Sequence, residues 1–307
     1  MAALTAHSML ECLSESIADY PEGIILPIDK PYRWTSADVI RKVKFAAFRH
    51  FHKKNLKVGH AGTLDPLATG VLLVCIGPAT KLAEELQRHD KEYVAGISFG
   101  ATTPSYDLEK EIDRLYPHDQ VTEEAIKAVL PSFLGEQEQV APLFSAKSVD
   151  GVRAYELARR AYKEAAREGV AFDHADADLL TRQRIRIDEI ELLAFSPGRS
   201  FAVAQDDKEK IQDDKEIAQD EKEIIQDEKG ASSRINVTDN SALGLPHADI
   251  RIACSKGTYI RAFARDLGEA LGTGAHLDAL CRTRTGGFRI EDALTLDQAL
   301  QLLQSPS

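Results

Sequence analysis

The stretch "GHAGTLDPLATGVLLVCIG", Gly59 to Gly77, holds one carboxylate, Asp65, set between small residues and a proline. Two local readings are open. Asp-Pro suits an ordinary turn. Alternatively, Gly59, Ala61 and Gly62 leave room for another molecule to approach the backbone beside a reactive acid. A phosphate-cradling loop is excluded, because the GxxxxGK[ST] spacing is missing and the lone acid would repel phosphate. In "CSKGTYIRAFARDLG", a turn glycine precedes Tyr259 and Arg261 at a helix start. Arg261 and Arg265 could form weak surface pairs with Asp266 or Glu269. Placed inside, the Arg261 guanidinium would instead hold a buried carboxylate ionised and aimed through charge-assisted hydrogen bonds. Tyr93 in "KEYVAG" reads locally as a core aromatic, and His60 as a turn residue beside glycine.

These residues need elements to carry them. "GIILPIDKP" predicts a short strand ending in a turn. "TSADVIRKVKFAAFRHF" predicts a capped amphipathic helix with Val39, Ile40 and Val43 inward. "VLLVCIG" predicts a buried strand, "ATKLAEEL" a short helix, and "KEYVAGISFG" a strand with one buried face. "TEEAIKAVLPSFLG", "RAYELARRAYKEAAREG" and "TYIRAFARDLGEALG" predict helices; "RQRIRIDEIELLAF", "SFAVAQ" and "ADIRIACS" predict strands. Strands separated by irregular excursions, without a regular βαβ series, imply an α+β fold.

The chain has 307 residues, 43% of them hydrophobic, enough for a sizeable core. No apolar run approaches the roughly 20 residues that span a bilayer, and the N-terminus does not read as a signal peptide. Cys12, Cys75, Cys254 and Cys281 are scattered without a CxxC pair, which implies reduced thiols in a cytosol and no metal site. The formal net charge is −11. Residues 206–229 hold eleven acids and five bases, so they carry −6 and leave −5 for the rest. This segment is a seven-residue repeat, "QDDKEKI QDDKEIA QDEKEII QDEKG". Its apolar residues sit side by side (Ile217 and Ala218, Ile224 and Ile225), not in the spaced pairs that a coiled coil needs. It reads as a charged insertion, part of a low-complexity stretch over 205–247, added to a complete domain. By contrast "RKVKFAAFRHFHKKNLKV" carries seven Lys/Arg, and no acid lies between Asp38 and Asp65. Net acidity therefore does not exclude a polyanionic partner.

Six segments, "DKP", "GHAGTLDPLATGVLLVCIGPATKL", "KEYVAGISFGATT", "SAKSVDGVRAYELAR", "CSKGTYIRAFARDLG" and "GAHLDALCRTRTGGF", stand in an order that resembles the TruB family of tRNA pseudouridine synthases. The resemblance covers about Gly23 to Leu300, interrupted by the acidic insertion. It implies a pseudouridine synthase catalytic domain over 23–300, with a central mixed, mostly antiparallel sheet flanked by helices and loops, after an N-terminal extension over 1–22. It further implies isomerisation of uridine 55 in the tRNA T-loop to pseudouridine by a cytoplasmic monomer without cofactor, metal, membrane or obligatory protein partner. Asp65 falls on the family's catalytic aspartate, the nucleophile toward ribose or base. Arg261 falls on its arginine partner, and Tyr93 on the tyrosine that stacks on the target base. Tyr259 and Leu280 align with the uracil pocket, and His60 with the residue that fills the space vacated by the extruded nucleotide. Lys30 and Lys147 look like support for the active-site loop and RNA backbone. About 20 residues follow "CRTRTGGF", so no C-terminal PUA domain is expected. A guide-dependent synthase of the H/ACA particle shares the catalytic core but uses that domain. A non-catalytic tRNA-binding protein would not need Asp65.

Overall fold

The computed structural model describes residues 2–3, 13–142, 148–149, 152–153, 167, 182–198, 235 and 237–304. Lys147, most of the expected helix over 153–169, the expected strand "SFAVAQ" and the repeat at 205–230 lie outside the described residues. The chain forms two units. The first contains residues 1–94, 225–235 and 280–307; the second contains 95–224 and 236–279.

In the first unit, β1 (Ile24–Lys30), α1 (Ser36–His50), β2 (Val58–Ala61), β3 (Ala68–Ile76) and α2 (Ala83–Arg88) follow in order. β3 is the central strand. Val71 through Ile76 are fully buried, which explains an unbroken apolar run where a half-exposed strand would alternate. β1 pairs antiparallel along one edge, from Ile24 opposite Ile76 to Lys30 opposite Gly70. The other edge is shared. β2 pairs antiparallel from Val58 opposite Ile76 to Ala61 opposite Leu73, and Leu280 to Arg282 pair in parallel with Ala68 to Gly70. Between these two partners the chain leaves the sheet as the loop Gly62–Leu67, which carries Asp65.

α1 starts where its sequence says. Thr35 Oγ1 accepts from Asp38 N at 3.0 Å, while Asp38 Oδ2 accepts from Thr35 N at 3.1 Å, a reciprocal cap. Val39, Val43 and Ala47 are buried at helical spacing, and the basic side chains face outward. "ATKLAEEL" begins as a 3-10 turn, Gly77–Leu82, before α2.

In the second unit β6 (Arg182–Ser196) pairs antiparallel with both β5 (Gly135–Val140) and β7 (His247–Cys254). α3 (Glu123–Val129) is shorter than expected, because Pro131 turns its last part into a 3-10 segment, Leu130–Phe133. α4 (Ile260–Ala270) follows β7, with Tyr259 at its N-cap position. The unit boundaries fall inside β4 (Lys91–Phe99) and β8 (Ala275–Thr285). β1 and β2 pair antiparallel with β3, and β5 and β7 with β6, whereas β8 meets β3 in parallel, as do the two-residue strands Leu294–Thr295 and Ala2–Ala3 where they meet β1. The fold is α+β with a mixed, mostly antiparallel sheet.

A polar cluster ties three strands of the second unit. His247 Nδ1 lies 2.7 Å from Asp278 Oδ2 and its Nε2 lies 3.2 Å from Asp249 Oδ1; Ser98 Oγ donates to Asp278 Oδ2 at 2.5 Å. The hydrogen bond to Asp278, above all, raises His247 from 6.5 to about 9. A folded value above the unfolded one means that this stabilisation is full below pH 6.5 and lost as pH rises through about 9. With His247 one-third exposed, solvent screening leaves about 1 kcal/mol. In His247→Gln, melting temperatures recorded from about pH 6 to 9.5 should lose this alkaline decline; an unchanged profile would refute the assignment.

Candidate active site

Asp65 is half-buried on a loop whose backbone is held from several sides. Arg282, 1% exposed, extends its guanidinium along the β3 edge left open between β2 and β8. Its Nε donates to Val71 O at 2.8 Å, one terminal nitrogen to Gly62 O at 3.0 Å and the other to Thr63 O at 3.4 Å. Ser36, buried at the first turn of α1, donates to Leu64 O at 3.0 Å and accepts from Leu64 N at 2.9 Å. Lys30, fully buried at the end of β1, donates through Nζ to Pro31 O at 2.8 Å, Trp34 O at 2.6 Å and Pro66 O at 3.2 Å. Pro66 O also accepts from Arg33 N at 3.0 Å, and Asp65 O from Ala68 N at 3.1 Å. Arg33 reaches that geometry with φ 63°, in the left-handed region where a non-glycine residue is strained. Gly70 has φ 99°, and a Cβ there would lie 2.3 Å from Arg282 O, so glycine is what lets β8 approach β3.

Burial above all lowers the Lys30 ammonium from 10.5 to about 8, with the carboxylates of Asp65 and Asp29 opposing and Arg282 acting in the same direction as burial. Lys30 thus senses Asp65 electrostatically while bonding only to main-chain carbonyls among the described residues. Burial also lowers His60, with Arg282 as the second cause. His60 is therefore a neutral ring at neutral pH. Its Nδ1 is buried with no hydrogen-bond partner among the described residues. Tyr93 sits on the buried face of β4, 9% exposed, while Glu92 on the other face accepts from Thr283 Oγ1 at 2.8 Å. Leu280 is half-buried opposite Ala68, and its carbonyl accepts from Thr69 Oγ1 at 3.4 Å.

The second unit holds the other expected residues. Arg261, 5% exposed, donates to Ser105 O at 3.0 Å and lies 3.7 Å from Asp107 Oδ2. The other oxygen of Asp107 accepts from Ser105 Oγ at 2.6 Å and Glu109 N at 2.9 Å. This buried carboxylate fixes the guanidinium in place. Gln139, 3% exposed on β5, grips Tyr259 by its backbone, accepting from the N–H at 2.9 Å and donating to the carbonyl at 3.1 Å. Sequence reading assigned no role to Arg282, Ser36, Asp107 or Gln139. Among the described residues no group of His, Cys, Asp and Glu could hold a metal ion, and no helix is long and apolar enough to cross a membrane.

Residues 49–205 match the TruB family pseudouridylate synthase N-terminal domain, and residues 261–305 match the tRNA pseudouridylate synthase B C-terminal domain. The chain belongs to the TruB family. A tRNA pseudouridine synthase B of Phocaeicola vulgatus is 43% identical, with 91% of this chain and 92% of that protein covered. One of Bacteroides thetaiotaomicron is 45% identical, with 90% and 91% covered. Membership makes the chain a pseudouridine synthase, an isomerase. Among solved structures, a Cbf5–Nop10–Gar1 complex contains a chain of the same fold, with TM-score 0.53 at 23% identity. That likeness covers 93% of this TruB-family chain and 56% of the other, so this chain spans just over half its length.

Both cationic anchors of the loop are open to test. Arg282→Lys keeps a charge but loses the fork, so kcat should fall by up to about a hundredfold with KM little changed, as for a misplaced reacting group. Loss confined to KM would contradict that role. Lys30 deprotonates as pH rises past about 8, removing a charged donor from Pro66 O. Turnover should decline above that pH, and Lys30→Met, slower throughout, should lack the decline; a limb that persists in the variant would assign it elsewhere.

Proposed function

We propose that this enzyme converts uridine 55 of the tRNA T-loop to pseudouridine, with Asp65 as nucleophile. The observation that carries the reading is the loop Gly62–Pro66, anchored by Arg282, Ser36 and Lys30, with the aspartate within the field of the buried Lys30. Electrostatic catalysis works best from such a fixed frame, because nothing must reorganise as charge moves. The target nucleotide is extruded into the protein, with His60 occupying the vacated place in the stack. The Asp65 carboxylate adds to ribose C1′ or to the base, and the N1–C1′ bond breaks. Uracil turns, C5 bonds to C1′, the bond to the Asp65 carboxylate breaks to free it, the C5 proton leaves and N1 gains a proton. The atoms balance as an isomerisation.

Tyr93 would stack on the base, Tyr259 and Leu280 would line its pocket, and Arg261, oriented by Asp107, would pair with the Asp65 carboxylate. Lys147 would support the RNA backbone. The bases between Arg41 and Lys57 would meet phosphates. The identities above 40% to tRNA enzymes over nine-tenths of the chain support a tRNA substrate over a guide-directed one. We take the enzyme to act as a single cytoplasmic chain.

Tritium release from uracil-5-labelled tRNA transcript is the test. Asp65→Asn should reduce it at least about a thousandfold, the scale of losing a covalent nucleophile, and a transcript with cytidine at position 55 should release none. Equal release from Asp65→Asn would end the nucleophile assignment; undiminished release from the cytidine transcript would move the target.

A further inference from the structure

The outer face of α1 carries more than charge. Phe45 is 64% exposed, a large apolar ring where the packing of the helix does not need one. Its face is covered by the Arg49 guanidinium at 5.7 Å from the ring centroid, and the Lys44 ammonium lies 5.4 Å from that of Phe48. These are i, i+4 neighbours, and the two rings stand at i, i+3 on one side of the helix. Phe48 and Lys44 also line an open cleft of about 490 Å³, together with Lys54, Lys57, Gly59 and Thr80. That volume falls among small-ligand pockets, about 300–1,000 Å³. A Cβ placed on Gly59 would meet nothing within 4 Å, so this wall is open backbone, one residue from His60.

Phosphate contacts alone need lysines and arginines, not phenylalanines. Aromatic faces interleaved with cations are the chemistry of nucleobase stacking, which tolerates any base because each has a π-face. We propose that the α1 face is a nucleobase platform: one unstacked nucleotide of the RNA substrate enters the cleft, its base on Phe48 and its phosphate at Lys54 and Lys57, with Phe45 extending the stack outward. This rests on the tRNA reading above and deepens it. It gives the enzyme a second grip on the RNA, independent of the uridine pocket and of base identity.

The experiment measures tRNA affinity in an Asp65→Asn background, so that turnover does not intrude, across a range of salt concentrations. Phe48→Leu keeps apolar volume but removes the π-face, and should weaken binding about tenfold, in the range of one lost base stack, without altering the salt slope. Phe48→Trp should bind as tightly as the parent. Phe45→Ala, at an exposed position, should weaken binding about threefold. Lys54→Ala should weaken it and reduce the slope of log affinity against log salt by about one. Parental affinity in Phe48→Leu, or equal losses in the Leu and Trp variants, would overturn the platform. Loss of self-association in Phe45→Ala with RNA affinity unchanged would give the face to a second copy of the chain and overturn it as well. If wild-type enzyme modifies tRNA while Phe48→Leu binds normally, only the platform fails. If wild-type enzyme neither binds nor modifies tRNA, the proposed function fails and takes the platform with it.

Discussion

The guanidinium of Arg282 fills a gap in a β-sheet edge, and the placement of Asp65 depends on that. β2 leaves β3 at Leu73 and β8 joins it at Gly70, so Val71 O would face the gap without a strand partner. Arg282 Nε satisfies it, and the terminal nitrogens reach the carbonyls of Gly62 and Thr63. An unpaired buried carbonyl costs roughly 1–3 kcal/mol, so one side chain resolves a sheet defect and anchors the loop that the defect creates. Lys30 repeats the solution from the β1 side with three more carbonyls. Both cations are fully desolvated, yet neither hydrogen-bonds a carboxylate among the described residues. Main-chain carbonyls accept hydrogen bonds without cancelling charge. The positive field therefore persists inside the loop, where Lys30 and Asp65 sense each other and Arg282 depresses both Lys30 and His60.

The second unit is built on the opposite principle. Arg261 does meet a carboxylate, Asp107, whose other oxygen is held by Ser105 and Glu109. There the guanidinium is aimed by a charged partner. In the first unit the cations aim the backbone. One arrangement fixes a donor; the other fixes a loop and leaves its field in place. The proposed chemistry uses both, since a nucleophilic carboxylate needs a rigid carrier and an oriented countercharge.

Most elements were legible because local signals agreed. Thr35 and Asp38 cap α1, the apolar run of β3 reads as buried, and alternation marks β4, β6 and β7. β8 was not assigned, because "HLDALCRTRT" interleaves apolar, acidic and basic residues. Its pattern follows from tertiary roles: Asp278 binds His247, Thr283 binds Glu92 and Arg282 points inward. The same reason hid Arg282 from sequence reasoning. Its partners are carbonyls, which have no side-chain signature, on segments far along the chain. Ser36, read only as part of a helix cap, and Gln139, in the polar run "GEQEQV", escaped for the same cause. Asp107 was missed because an acid after "TTPSY" reads as a turn. Sequence shows which residues could react; it is nearly silent on side chains whose work is to hold backbone.

His60 shows how far the central interaction reaches. A histidine beside a basic segment could be charged near neutral pH, and an imidazolium would be strongly hydrated and drawn to phosphate. Burial and the Arg282 charge both favour the neutral form. A neutral imidazole is flat, polarisable and weakly hydrated, the properties of a base in a stack. The guanidinium that closes the sheet edge and anchors the Asp65 loop thus also favours the form of His60 that could replace an extruded nucleotide. On this reading the buried charge that positions the acid also adds, second to burial itself, to the neutrality of the ring proposed to enter the RNA stack.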